Sequence, residues 1–254
     1  MCRLAAWMGP HIALEDVIVT PAHSLIEQSQ AATEAKLAVN GDGFGFAWYA
    51  DNGDLGLYRD VLPAWTDGNL LSLSSMIRSR LFLAHVRAST FGQVSRSNCH
   101  PFTSGSWSFM HNGKITSFGH HRRALESTLS DKRYSQRCGN TDSELFFLLL
   151  LDHGLEENAQ NAVTSVLSLF NNLPAIDNDA TRVAAVLSDG NRLIAIRYSS
   201  DSRSPTLYYK KQADGGLFIA SEPLHNDSEN WNSLEESSAL VATPTSLDTF
   251  KLAV

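Results

Sequence analysis

The chain opens Met1-Cys2-Arg3-Leu4-Ala5-Ala6-Trp7-Met8, and the second of these residues decides how the rest is read. Removal of Met1 would leave a thiol and a free α-amino group on the same carbon. A thiol of pKa about 8.5 is only a few per cent thiolate at neutral pH, whereas an α-amine of pKa about 7.7–8.0 accepts its proton directly or through one water. Cysteine is also small enough to suit excision of the methionine before it, so Met1 is read as a processing residue. The competing reading is an ordinary small hydrophobe of a first strand, the commonest setting of a free cysteine.

Three downstream segments tip the balance: Ala84-His85-Val86-Arg87-Ala88-Ser89-Thr90, His111-Asn112-Gly113 and Gly139-Asn140-Thr141-Asp142-Ser143-Glu144. Arg87 ends the apolar run Leu81-Phe82-Leu83-Ala84, so its guanidinium emerges at a strand end, where a bidentate carboxylate clamp is useful and a structural ion pair is the alternative. Ser89 and Thr90 follow in the turn, either as hydroxyl contacts or as plain turn formers. His111-Asn112-Gly113 follows the short apolar stretch Trp107-Ser108-Phe109-Met110. Its Asn-Gly pair is either a hairpin turn or, with the Asn112 side chain and Gly113 N–H aimed at one oxygen, an oxyanion hole. Thr141 and Glu144 make a T-x-x-E capping box ahead of Leu145-Phe146-Phe147-Leu148-Leu149-Leu150-Leu151. Because the box satisfies that helix end, Asp142 is expected to point outward; its alternative use is to complement the helix dipole.

Together with Asn40-Gly41-Asp42-Gly43-Phe44-Gly45 and Asn98-Cys99-His100-Pro101-Phe102, these segments resemble the class II glutamine amidotransferases, members of the N-terminal-nucleophile hydrolases. The likeness runs over at least residues 2–150. Ile219-Ala220-Ser221-Glu222-Pro223 further resembles the stand-alone branch that includes the γ-glutamyl hydrolase of ergothioneine biosynthesis. The resemblance implies Cys2 as nucleophile, Asn112 and Gly113 as the oxyanion hole, Arg87 on the substrate α-carboxylate, Asp142 on its ammonium, and His100 near the substrate side chain. It implies no cofactor and no metal. Ala88 departs from the synthase-fused members, which often carry an aromatic residue there, and its small side chain suggests a more open pocket.

Asp42-Gly43-Phe44-Gly45 lacks the Lys-Ser/Thr of a P-loop and opens a strand rather than a helix, so it reads as a turn lining the pocket wall. With 254 residues, 43% of them hydrophobic, and no flexible linker, the chain is expected to be one domain over residues 2–254. A net charge of −7 argues against nucleic-acid and anionic-membrane partners. The only basic cluster, His120-His121-Arg122-Arg123, reads as a solvated helix face. Cys2, Cys99 and Cys138 form no C-x-x-C pair, no signal peptide is evident, and the apolar run at 145–151 is far from the roughly 20 residues of a membrane span. A cytoplasmic protein is expected.

Strands are expected at 3–8, 44–50, 55–59, 81–87 and 107–111, a hairpin from 182–187 to 192–198 through Ser188-Asp189-Gly190-Asn191, and further strands at 206–210 and 216–221. Helices are expected near 22–30, 67–79, 121–130, 141–152 and 156–171. Strands and helices in blocks rather than strict alternation predict an α+β fold of stacked antiparallel sheets with outer helices, in agreement with the four-layer αββα sandwich that the resemblance implies. Pro223–Glu236 reads as a surface loop more readily than as a lid.

The favoured function is hydrolysis of the γ-amide of glutamine or a γ-glutamyl metabolite through a thioester. Stand-alone length favours a γ-glutamyl amide of a larger metabolite, and the runner-up is a glutaminase subunit delivering ammonia to a separate synthase partner; a homo-oligomer is left open. A metal or redox module built on Cys99, His100, His111, His120, His121 and Cys138 is the non-enzymatic alternative, although that spacing fits no compact zinc pattern.

Overall fold

A computed structural model describes residues 2–34, 39–89, 92–225 and 230–254. The first sheet takes β1 (Arg3–Ala13), β2 (Phe44–Tyr49), β3 (Leu55–Asp60) and β4 (Arg78–Val86), and the second takes β5 (Phe102–Ser104), β6 (Trp107–Lys114), β7 (Arg182–Ser188) and β8 (Leu193–Ser199). The chain then returns to the first sheet with β9 (Tyr208–Lys211), β10 (Leu217–Ala220) and β11 (Asn232–Ser233), and closes the second with β12 (Ser238–Ala242) and β13 (Leu247–Lys251). The first sheet has the order β11-β9-β10-β1-β4-β2-β3 and the second β13-β12-β8-β7-β6-β5. Both are antiparallel.

The layers follow from side-chain alternation. Leu4, Ala6 and Met8 of β1, with Leu81 and Leu83 of β4, pack between the sheets against Met110, Ala184 and Val186. The opposite face of the same strands, Ala5, Trp7, Phe82, Ala84 and Val86, is covered by α1 (Glu15–Ile18), α2 (Leu25–Gln30) and α3 (Gly68–Met76). On the far side of the second sheet, α6 (Asp142–Asp152) and α7 (Ala159–Asn171) pack on Phe109, Val183 and Ala185, with α4 (Phe118–Glu126) and α5 (Asp131–Ser135) beside them. This is the expected αββα sandwich. The apolar run Leu145–Leu151 is buried all round because α6 lies between the sheet and these other helices. Among the described residues no helix is long and apolar enough to cross a membrane.

The differences from the sequence reading have local causes. The helix expected at 121–130 starts earlier, at Phe118, and ends at Glu126; a separate short helix follows from Asp131, where Ser130 accepts from Arg133 N–H (3.3 Å). The short edge strand β5 and the hairpin β12–β13 were not anticipated; Leu247-Asp248-Thr249-Phe250-Lys251 lies at a sheet edge, where alternation is weak. The stretch 223–236 is not a bare surface loop. Trp231 is buried, its ring 6.3 Å from Phe218, and β11 pairs with β9; residues 226–229 lie outside the described residues.

At the end of the sandwich away from Cys2, the Tyr49 hydroxyl joins the two sheets, contacting Ser106 O (2.8 Å), Ser188 O (2.9 Å) and Ser108 Oγ (2.9 Å). Burial pushes its phenol up to about 12, so it stays a neutral donor.

Candidate active site

The inter-sheet face is apolar along most of its length and becomes polar at one end. Continuing the two-residue alternation of β1, β4 and β6 past Leu4, Leu83 and Met110 gives Cys2, His85 and Asn112. Cys2 is half-buried and lies against Ala88, with Sγ 3.4 Å from both its N–H and its carbonyl oxygen. Burial pushes the thiol up, opposed by the Ala88 contact and by the Arg87 and Arg3 charges. The thiol is therefore protonated at neutral pH and needs a proton acceptor to react.

Asn112 is 1% exposed, and neither its Nδ2 nor its Oδ1 has a hydrogen-bond partner among the described residues. The same holds for both ring nitrogens of His100, whose ring lies 4.1 Å from that of His85 at a tilt of 34°. His100 also meets the edge of Phe102 at 4.7 Å. Buried polar groups normally find partners, and each left without one costs about 1–3 kcal/mol, so Asn112 and His100, both without a partner among the described residues, mark a surface built for a ligand. Burial lowers the His85 pKa to about 3 and that of His100 well below its ordinary value, so both rings are neutral.

Gly113 follows Asn112 with φ +153°, and a Cβ there would clash with the Arg182 carbonyl, so the site requires glycine. Gly43 (φ +115°) plays a similar part in the wall: a Cβ would stand 2.6 Å from Cys99 Sγ. This is the tight turn expected of Asp42-Gly43. Its carboxylate accepts from Ser89 N–H at 2.7 Å, and Ser89 Oγ in turn accepts from Arg87 Nη2 at 3.0 Å. Ser89 thus orients Arg87, which is buried directly after the Val86 that pairs with Arg3. Thr90 lies outside the described residues.

Asp142 is more engaged than the sequence suggested. Its Oδ2 accepts from Ile115 N–H (3.0 Å) and its Oδ1 from Ser143 N–H (2.8 Å), which ties the start of α6 to the end of β6. The capping box is also only half made. Thr141 Oγ1 accepts from Glu144 N–H (3.2 Å), but the Glu144 carboxylate accepts from Cys138 and Gly139 N–H (2.8 Å each) instead of returning to Thr141. Asn98 completes the loop: its Oδ1 accepts from Asn140 N–H (2.9 Å) and its Nδ2 donates to Asn140 Oδ1 (2.8 Å).

Residues 15–245 match the family model of the glutamine amidotransferases class-II. The chain belongs to that family. A probable glutamine amidotransferase of Saccharomyces cerevisiae is 41% identical over 60% of the chain, which spans 45% of that protein's length. The γ-glutamyl-hercynylcysteine sulfoxide hydrolase of Mycobacterium tuberculosis is 30% identical, with 90% of this chain and 87% of that one covered. A solved glutamine aminotransferase class-II domain protein from Silicibacter pomeroyi superposes with a TM-score of 0.78 at 34% identity, each chain covered completely.

In this class II glutamine amidotransferase the polar end holds Cys2, Arg87, Ser89, His100 and Asn112; Asp42 is bonded to Ser89, and Asn98 to Asn140 of the 139–142 loop. Sequence reasoning quoted His85, Asp42 and Asn98 within motifs but gave the first and last no role; counting alternation from Leu81 and Leu83 would have placed His85. Among the described residues no three His, Cys, Asp or Glu side chains gather to hold a metal. A second opening, a cavity of about 510 Å³ lined by Met8, Arg80, Gly190, Lys211 and Ser246, lies at the opposite end and includes none of the predicted site residues.

Proposed function

We propose that the chain, read as one domain over 2–254 with Met1 removed, hydrolyses γ-glutamyl amides with Cys2 as its N-terminal nucleophile. What supports this is that Asn112, buried and without a partner among the described residues, continues on β6 the inter-sheet alternation that on β1 leads to Cys2.

The α-amine of Cys2, directly or through one water, takes the Sγ proton as sulfur bonds to the γ-carbonyl carbon. The carbonyl electrons move to oxygen, which accepts from Asn112 Nδ2 and Gly113 N–H. Preorganised donors of this kind contribute about 2.7–4 kcal/mol each. Collapse breaks the C–N bond, and the α-ammonium returns its proton to the departing amine. Water then attacks the thioester, with the amine again as base, and releases the γ-carboxylate and the thiol.

Selectivity for a γ-glutamyl group follows from reading both charges of an amino acid. Arg87, oriented by Ser89, holds the α-carboxylate, and Asp142 holds the ammonium through Oδ2, which has two lone pairs and spends one on Ile115 N–H. His100, its ring 4.1 Å from that of His85, forms the neutral wall beside the substrate side chain, and Thr90 adds a hydroxyl. The small Ala88 beside Sγ favours a leaving group larger than ammonia, as the name of the mycobacterial relative also suggests.

Glutamate release from glutamine and from a panel of γ-glutamyl amides, with mass-verified protein beginning at Cys2 and a Cys2→Ala control, tests the reading. Turnover of a bulky amide that disappears in the control supports it. Glutamine as the best substrate, rising on addition of a synthase, would replace it with the ammonia-supplying subunit.

A further inference from the structure

The motif Ser221-Glu222 holds the two residues that follow the nucleophile, and it does so where ordinary strand pairing stops. The ladder between β1 and β10 begins at Ala5 and Ala220. Beyond it, Leu4 N–H donates to Ser221 Oγ (3.0 Å) and Ser221 N–H donates to Leu4 O (3.0 Å). One residue nearer the nucleophile, Arg3 Nη1 donates to Glu222 Oε1 at 2.8 Å, with both side chains fully buried.

Glu222 also gathers the segment after α2. Its Oε2 accepts from Thr33 N–H (3.1 Å) and Thr33 Oγ1 (2.8 Å) and lies 2.9 Å from His23 Nε2, while Oε1 accepts from Glu34 N–H (2.9 Å). Burial would raise this carboxyl, but the hydrogen bonds from His23, Glu34 and Thr33 and the Arg3 charge outweigh it and hold the group below its ordinary range. Arg3 Nε and Nη2 have no partner among the described residues, so Glu222 Oε1 is the acceptor they show for this buried guanidinium.

A chain terminus frays unless it is tied down, whereas a catalytic group must be held within about 0.5 Å of its productive geometry. We propose that Glu222, acting through Arg3 and assisted by Ser221 on Leu4, is a positioning residue that fixes the start of β1 and thereby the attack geometry of Cys2. The inference rests on the reading of Cys2 as nucleophile. Burial of two opposite charges is weak evidence for stability, which is why a role in placement accounts better for a fully buried pair one residue from the reacting sulfur.

The test compares wild type, Cys2→Ala, Glu222→Gln, Ser221→Ala and the double variant Arg3→Gln/Glu222→Gln, each confirmed by intact mass to begin at residue 2. Glu222→Gln keeps the length of the side chain and loses the charge opposite Arg3. Its kcat on the best γ-glutamyl amide falls on the order of 100-fold with KM unchanged, the size expected of a small misplacement. The double variant removes both charges and regains melting temperature but not kcat. Ser221→Ala, which keeps the buried ion pair, loses kcat by about 10-fold, so the proposal stays testable if Glu222→Gln fails to fold. Wild-type kcat in Glu222→Gln or in Ser221→Ala, or recovery of kcat along with stability in the double variant, overturns the proposal. Turnover in Cys2→Ala would instead remove the nucleophile reading itself.

Discussion

The Cys2 sulfur is bracketed by the backbone of Ala88, 3.4 Å from its N–H and 3.4 Å from its carbonyl oxygen. Ala88 is also the residue after Arg87, so the contact places the sulfur beside the residue next in the chain to the proposed carboxylate clamp.

The bracket is made in a buried setting that raises the thiol pKa. Alkylation of Cys2 by iodoacetamide, which needs the thiolate, is expected to rise with pH through a midpoint above the roughly 8.5 of a free thiol. In the proposed mechanism the α-amine takes the proton, so turnover is expected to reach its plateau at lower pH. Parallel pH profiles of labelling and kcat/KM check this; coincident midpoints would contradict it.

Asn112→Ala removes one of the two proposed oxyanion donors. The expected loss is about 100- to 1,000-fold in kcat with little change in KM, measured by steady-state kinetics. The fold should survive, because the Asn112 side chain has no partner among the described residues to lose.

Gly113→Ala should fail differently. The Cβ meets the Arg182 carbonyl on the paired strand β7, at a backbone angle that L residues rarely adopt. A loss of more than about 1 kcal/mol of stability is expected, read as a fall in melting temperature alongside the loss of activity.

Asn98→Ala should act on binding. It releases both hydrogen bonds to Asn140 and frees the loop that carries Asp142. Two bonds of about 1 kcal/mol each predict a rise in KM of up to about 30-fold for substrates with a free α-amino group, and a smaller rise for N-acetylated ones. Equal effects on the two would place Asp142 away from the ammonium.

Acid should destabilise the fold through the histidine pair. In the unfolded chain both imidazoles take up protons near pH 6.5, whereas burial holds His85 to about 3 and His100 well below its ordinary value. Between those limits the unfolded state binds more protons, so stability is full above about pH 6.5 and is lost as pH falls towards 3. Melting temperatures from pH 7.5 to 4 should fall less steeply in His85→Asn, which carries no titrating ring.

Much of this was legible from the chain, because turn chemistry and alternation are local. Gly43 announced a tight turn, the Leu81-Phe82-Leu83-Ala84 run announced a buried strand, and Leu145–Leu151 announced an apolar helix, whereas Gly113, read as a turn, lies within β6. What escaped depends on long-range partners. Asp142 Oδ2 accepts from Ile115 N–H, 27 residues earlier, and Glu144 turns to Cys138 and Gly139; neither follows from a capping-box pattern. Trp231 looked like a loop residue because its neighbours are polar, yet it packs on Phe218 of another strand. Glu222 was quoted only as part of a motif, since nothing near it in sequence points to Arg3, 219 residues away.

The central claim is that Cys2, with its amine free, carries the acyl group. Acid quenching during turnover of a γ-glutamyl amide, followed by peptide mapping, tests it most directly. The account predicts a γ-glutamyl adduct on a peptide whose first residue is Cys2, sensitive to hydroxylamine as a thioester is. Turnover by protein that still carries Met1, or an adduct on any other residue, would contradict it.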